Sequence, residues 1–147
     1  MAAVYADSSV LFAWFYLPDE FNAVVTQWMQ DHGADFLSNE VLRLELRHNL
    51  RLVRGNPDGE AAWQALHVAE RSAARMRHEQ LDLERTFSQA DALSRRWGRT
   101  APCGAMDVFH VAAALAHDAP LFLTCDAQQA AFAKAAGLNV HAFATAP

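Results

Sequence analysis

Four carboxylates sit where the surrounding sequence calls for burial, and any fold this chain adopts has to find them a partner. Asp7 closes the apolar run Ala3-Val4-Tyr5-Ala6 and precedes Val10-Leu11-Phe12-Ala13-Trp14. Glu45 lies inside the Leu-rich stretch 41–53, and Asp107 opens Val108-Phe109-His110-Val111 and the alanines that follow. Asp126 comes directly after Leu121-Phe122-Leu123-Thr124-Cys125. A charge taken out of water alone is costly, so buried acids are paired or bound to a cation. With no neighbouring Lys or Arg to spare, one shared cation is the simplest partner, and a divalent metal is the simplest such cation. All-oxygen ligation suits Mg²⁺ or Mn²⁺ better than zinc.

The chain has 147 residues, which suits a single domain spanning 1–147 with a substantial core. No apolar run approaches the roughly 18 residues needed to span a bilayer. The first residues lack the basic stretch of a signal peptide. Cys103 and Cys125 stand outside any CxxC spacing, which fits a reduced, cytoplasmic setting. The net charge of −5 is unevenly spread. Residues 1–42 contain no Lys or Arg, whereas 43–99 hold eleven of the twelve basic residues, all arginine. The middle of the chain is therefore the part suited to an anionic polymer, although solvated helix faces account for the same arginines.

Periodicity and punctuation predict strands at 3–6, 36–37, 81–83, 121–124 and 138–143. Helices are expected at 9–17, 21–32, 39–54, 58–77, 84–97, 107–117 and 127–136, with 100–105 as a loop. Ser8 or Ser9 is the expected cap of the first helix. Short apolar strands alternating with longer helices argue for an α/β sandwich with a mainly parallel central sheet. Ligands in such sheets bind beyond the carboxyl ends of the strands, where Asp7 and Asp126 both fall. On the third helix, Arg43, Arg47, Arg51 and Arg54 form one stripe. Glu45 lies roughly 200° around from Arg43, between two apolar arcs and away from the arginines that would pair with a solvated Glu. Each of the other acids has an ordinary reading, as a cap or a turn residue. Four together at element ends or buried faces point to one site.

The segment Val4-Tyr5-Ala6-Asp7-Ser8-Ser9-Val10-Leu11 resembles the opening motif of PIN-domain nucleases. Asn39 through Glu45 resembles the second motif, and Asp107-Val108-Phe109-His110-Val111-Ala112-Ala113-Ala114 the third, D-A-x-H-x-A-A-A. Leu123-Thr124-Cys125-Asp126 with Ala135-Ala136-Gly137-Leu138-Asn139-Val140 is similar to the fourth. The resemblance covers essentially the whole chain, and the length is that of the small VapC-type toxins. It implies a PIN-like α/β/α sandwich and an endoribonuclease dependent on Mg²⁺ or Mn²⁺. Asp7, Glu45, Asp107 and Asp126 would be its acidic quartet, and the products a 5′-phosphate and a 3′-hydroxyl. Thr124 matches the small hydroxyl residue near the site, Ser8 or Ser9 would contribute similarly, and Arg47 would help position RNA. The resemblance further implies a cognate antitoxin and a homodimer. The shortened segment ahead of Asp107 leaves open a role for Asp91.

Other signals are set aside at this stage. No histidine spacing matches a zinc motif, and His110 reads as a satisfied core residue beside Asp107. Cys125 reads as a small buried residue, and the aromatics of the first two helices as core or as one wall of a partner groove. Two alternatives remain: a non-catalytic PIN-like binding module, and an Asp-based phosphotransfer domain. The second lacks its usual companions, since Ser9 stands where a second Asp is needed and Lys134 lies in a late helix.

Overall fold

The computed structural model describes residues 3–72 and 75–144. Among the described residues, five short strands are interspersed with seven helices: β1 (Tyr5–Ala6), α1 (Ser8–Phe15), α2 (Asn22–His32), β2 (Phe36–Ser38), α3 (Glu40–Leu52) and α4 (Pro57–Arg71). The order continues with β3 (Met76–His78), α5 (Leu83–Trp97), α6 (Ala105–Ala116), β4 (Phe122–Thr124), α7 (Ala127–Ala135) and β5 (Val140–Ala142).

Every strand pairing is parallel. β1 pairs with β4 and β4 with β5, while β2 pairs with β3. A bridge between Val4 and Phe36 joins the two groups, through Val4 N–H to Asp35 O and Leu37 N–H to Val4 O. The order across the sheet is therefore β3-β2-β1-β4-β5. β1, β2 and β4 are buried throughout, as a parallel sheet covered by helices on both faces requires. The core is built from Phe36, Phe109, Phe122 and Phe132 with Leu42, Leu46 and Leu50 of α3. Crossovers leave β1 in opposite directions across the sheet, toward β2 on one side and β4 on the other. That reversal opens a crevice at the carboxyl end of β1.

Two expected elements differ. The helix placed over 58–77 ends at Arg71, residues 73–74 lie outside the described part, and Met76–His78 forms β3. Only Met76 of β3 is buried, and Arg77 and His78 face solvent. A run with one inward residue has no strand periodicity to read; pairing with β2 supplies it. The strand expected at 81–83 is absent, because Asp82 caps α5 by accepting from the Arg85 N–H and Leu83 already begins the helix. On α3 the Leu42, Leu46, Leu50 arc is buried, whereas Leu44 and Leu52 of the other arc are exposed. Glu45 thus stands at the border of the core.

Candidate functional site

β1 delivers Asp7 to the start of α1, where it holds the capping position without using its carboxylate as a cap. The neighbouring hydroxyls do other work than the capping expected of them. Ser9 Oγ donates to Asp7 Oδ2 at 2.8 Å, and Ser8 Oγ donates to Glu45 Oε1. Asp7 is 5% exposed, so its charge sits well inside the molecule. α3 brings Glu45 to the same place. One carboxylate oxygen each of Asp7 and Glu45 and a ring nitrogen of His110 lie within 4.8 Å of one another.

His110 is the residue that sequence reasoning undervalued. It is buried and satisfied, as expected, but by partners from other elements. Its Nδ1 is 2.8 Å from the Tyr5 hydroxyl, and its Nε2 is 3.1 Å from Glu45 Oε1 and 4.0 Å from Asp7 Oδ1. The signal lay in the spacing: Asp107 and His110 are three apart on α6, hence on one face. Burial works against charging the His110 ring. The hydrogen bond that the ring gives to Glu45, with the charges of Asp7, Glu45 and Asp107, outweighs it and raises the pKa above the usual imidazole value. Glu45 moves the opposite way, held below the ordinary carboxylate range first by His110, against burial, and then by Ser8.

Asp107 and Asp126 occupy the rim. Asp107 is the third residue of α6 rather than its opener, and its Oδ2 accepts from the Gly104 N–H at 3.0 Å. A Cβ at Gly104 would come within 3.1 Å of that oxygen, so the tight approach favours glycine. Burial, then the charges of Asp7 and Asp126, push the Asp107 pKa up against the Gly104 hydrogen bond. Asp107 therefore lies within electrostatic reach of both other aspartates. Asp126 caps α7, accepting from the Gln128 and Gln129 N–H groups at 2.8 and 3.2 Å.

The remaining candidates are placed differently. Thr124 is fully buried; its hydroxyl donates to Gln129 Oε1 and accepts from the Asp126 N–H, so it supports Asp126 from behind. Arg47 and Arg43 pair with Glu70 of α4, and Arg51 and Arg54 lie over the Trp63 ring. The arginine stripe thus packs on α4. Asp91 pairs with Arg95 on an exposed face of α5. Burial pushes the Cys103 thiol to about 11 and that of Cys125 to about 12, which leaves neither a ready nucleophile.

The donor set fits a hard divalent cation. Among the described residues no Lys or Arg forms an ion pair with Asp7, Glu45, Asp107 or Asp126. Like charges this close repel unless a cation stands among them. A cleft of about 710 Å³ opens beside the acids, lined by Ser8, Ser9, Asp126, Asp19 and Glu20 together with Phe12, Phe21, Leu52 and Val53.

The PIN domain family model matches residues 4–137. A search of curated proteins finds no match. Among solved structures the chain is similar to Mycobacterium tuberculosis VapC20, a toxin that cleaves the sarcin–ricin loop. The TM-score is 0.68 at 16% identity, covering 92% of this chain and 96% of that one. That likeness concerns the fold, and the family match covers nearly the whole sequence. The chain belongs to the PIN domain family.

Proposed function

We propose that this chain is a VapC-type toxin, an endoribonuclease that hydrolyses RNA phosphodiester bonds at the carboxylate site with Mg²⁺ or Mn²⁺. The observation that carries the reading is the convergence of Asp7 and Glu45, from elements far apart in sequence, with no Lys or Arg among the described residues paired to either. Asp7 and Glu45 would hold the cation, with Asp107 and Asp126 completing the charge at the rim. When bound, such a cation lowers the pKa of a coordinated water and offsets charge developing on the phosphate. The protein's own groups do the rest. His110 and Ser8 fix the Glu45 carboxylate, and Ser9 fixes that of Asp7. Asp107 has one oxygen on Gly104 and a raised pKa, which suits its Oδ1 to accept a proton from the attacking water.

The cleft supports a second part of this reading. Its mixture of apolar and acidic lining residues suits a peptide that offers both aliphatic and basic side chains, as an antitoxin segment would. The exposed Leu17, Leu44 and Leu52 supply further apolar surface for such a partner or for a second copy. No helix among the described residues is long and apolar enough to cross a membrane.

The test combines growth and cleavage. Expression of the wild type is expected to arrest growth and create new RNA 5′ ends at discrete positions, whereas Asp7→Asn does neither. Intact RNA after incubation with folded, cation-saturated wild type would remove the nuclease reading.

A further inference from the structure

The polarity of a buried hydrogen-bond chain can be followed from a backbone amide to the site. Asn39 caps α3, and its Oδ1 accepts from the Leu42 N–H at 2.9 Å. That bond identifies which end of the amide is oxygen, so Nδ2 is the end directed at the Tyr5 hydroxyl oxygen, 3.3 Å away. The Tyr5 oxygen accepts there, and its own proton is left one direction, toward His110 Nδ1 at 2.8 Å. A phenol keeps its proton at neutral pH. A ring nitrogen that accepts carries no hydrogen, so the neutral ring bears its proton on Nε2, facing Glu45 Oε1. Ser8 donates to that same oxygen, which leaves Glu45 Oε2 as the uncommitted one. The reverse tautomer carries two faults: the Tyr5 proton loses its acceptor, and a lone pair on Nε2 faces the carboxylate. Tyr5 and Asn39 are fully buried and His110 is 1% exposed, so solvent does not repair such faults.

The geometry points to Tyr5 as a positioning residue that, oriented by Asn39, makes His110 a hydrogen-bond donor to Glu45 and not a ligand of the cation. In the neutral ring both nitrogens are committed, Nδ1 as acceptor and Nε2 as donor. The apparent three-residue cluster is then two carboxylates and one orienting imidazole. The functional consequence rests on the nuclease reading above, whereas the hydrogen-bond direction does not.

Two measurements need no activity. ¹⁵N NMR of the neutral His110 ring, on the alkaline side of its titration, is expected to show Nδ1 bare and Nε2 protonated. In the Mn²⁺-loaded protein, pulsed EPR is expected to show no directly coordinated ¹⁴N. An Nδ1-protonated ring, or strong ¹⁴N coupling to Mn²⁺, would overturn the assignment. Tyr5→Phe keeps the ring that stacks on Phe122 and His117 but removes the hydroxyl. Its Mn²⁺ affinity or kcat should fall by about 10-fold with KM for RNA little changed, the usual scale for removing such a supporting bond. Asn39→Ser retains a capping oxygen while removing Nδ2, and should shift the same quantities in the same direction if Tyr5→Phe fails to fold. Unchanged Mn²⁺ affinity and kcat in a folded variant would count against the positioning role. If the wild type cleaves no RNA, the NMR result still decides the hydrogen-bond direction.

Discussion

The two halves of the acidic quartet live in different surroundings. Asp7 and Glu45 come from the end of β1 and from α3, accept from Ser8, Ser9 and His110, and have no Lys or Arg among the described residues paired to them. Asp107 and Asp126 sit half-buried in the first turn or at the cap of α6 and α7, where backbone N–H groups already satisfy part of each carboxylate. A helix start is an ordinary place for an acid, stabilised by the dipole and by free amides. The Asp7–Glu45 pair has no such use in the fold alone. The comparison separates acids that need a cation from acids that help hold the helices and lend charge to the site.

The largest effect that tests this contrast is expected at Asp7 and Glu45. Asp7→Asn or Glu45→Gln should cut RNA cleavage on the order of 10³-fold, since losing a cation-holding carboxylate removes several kcal/mol of transition-state stabilisation. Cleavage surviving near the wild-type rate in either variant would end the division. Cation binding gives a second, independent measure. Saturating Mg²⁺ should stabilise the wild type, by about 2.7 kcal/mol at a hundred times its Kd, and Asp7→Asn should lose most of that gain in thermal melts.

Smaller effects belong to the rim. Asp126→Asn keeps a capping oxygen and should leave metal-free stability almost unaltered while slowing cleavage. Asp126→Ala should lose about 1 kcal/mol in denaturant unfolding because the cap goes as well. Equal stability of the Asn and Ala variants would show that the cap contributes nothing. The smallest effect lies away from the site. Burial lowers the His117 pKa below its ordinary value of 6.5, against the pull of Glu79 and Glu40. The unfolded chain then binds that proton more readily than the folded one, so this contribution to stability is full above about pH 6.5 and declines as pH falls below it. His117→Gln should flatten that part of the stability–pH curve, as read from melts across the acid range.

Much of this arrangement is legible along the chain. Asp7 and Asp126 follow short apolar runs, which puts them at strand ends, and the placement of Glu45 away from the arginines on α3 marks it as unusual. β3 was not legible, because Arg75-Met76-Arg77-His78 carries one buried residue and the neighbouring β2 supplies the hydrogen bonds that make it a strand. His110 and Tyr5 read as core because they are core. Their polar atoms meet across 105 positions of sequence, and no local pattern encodes a partner so distant. Arg47 reads as a free cation for the same reason: Glu70, its partner, stands on another helix.

By itself the sequence determined the alternation of strands and helices, the burial of the apolar faces, and the presence of acids where burial is expected, since each follows from local periodicity and the cost of hiding charge. Only the tertiary structure decided which oxygens meet, which hydroxyls hold them, and which way the protons of the buried chain point. Those outcomes depend on distances between side chains of different elements, which the crossovers of the parallel sheet set and no window of sequence contains.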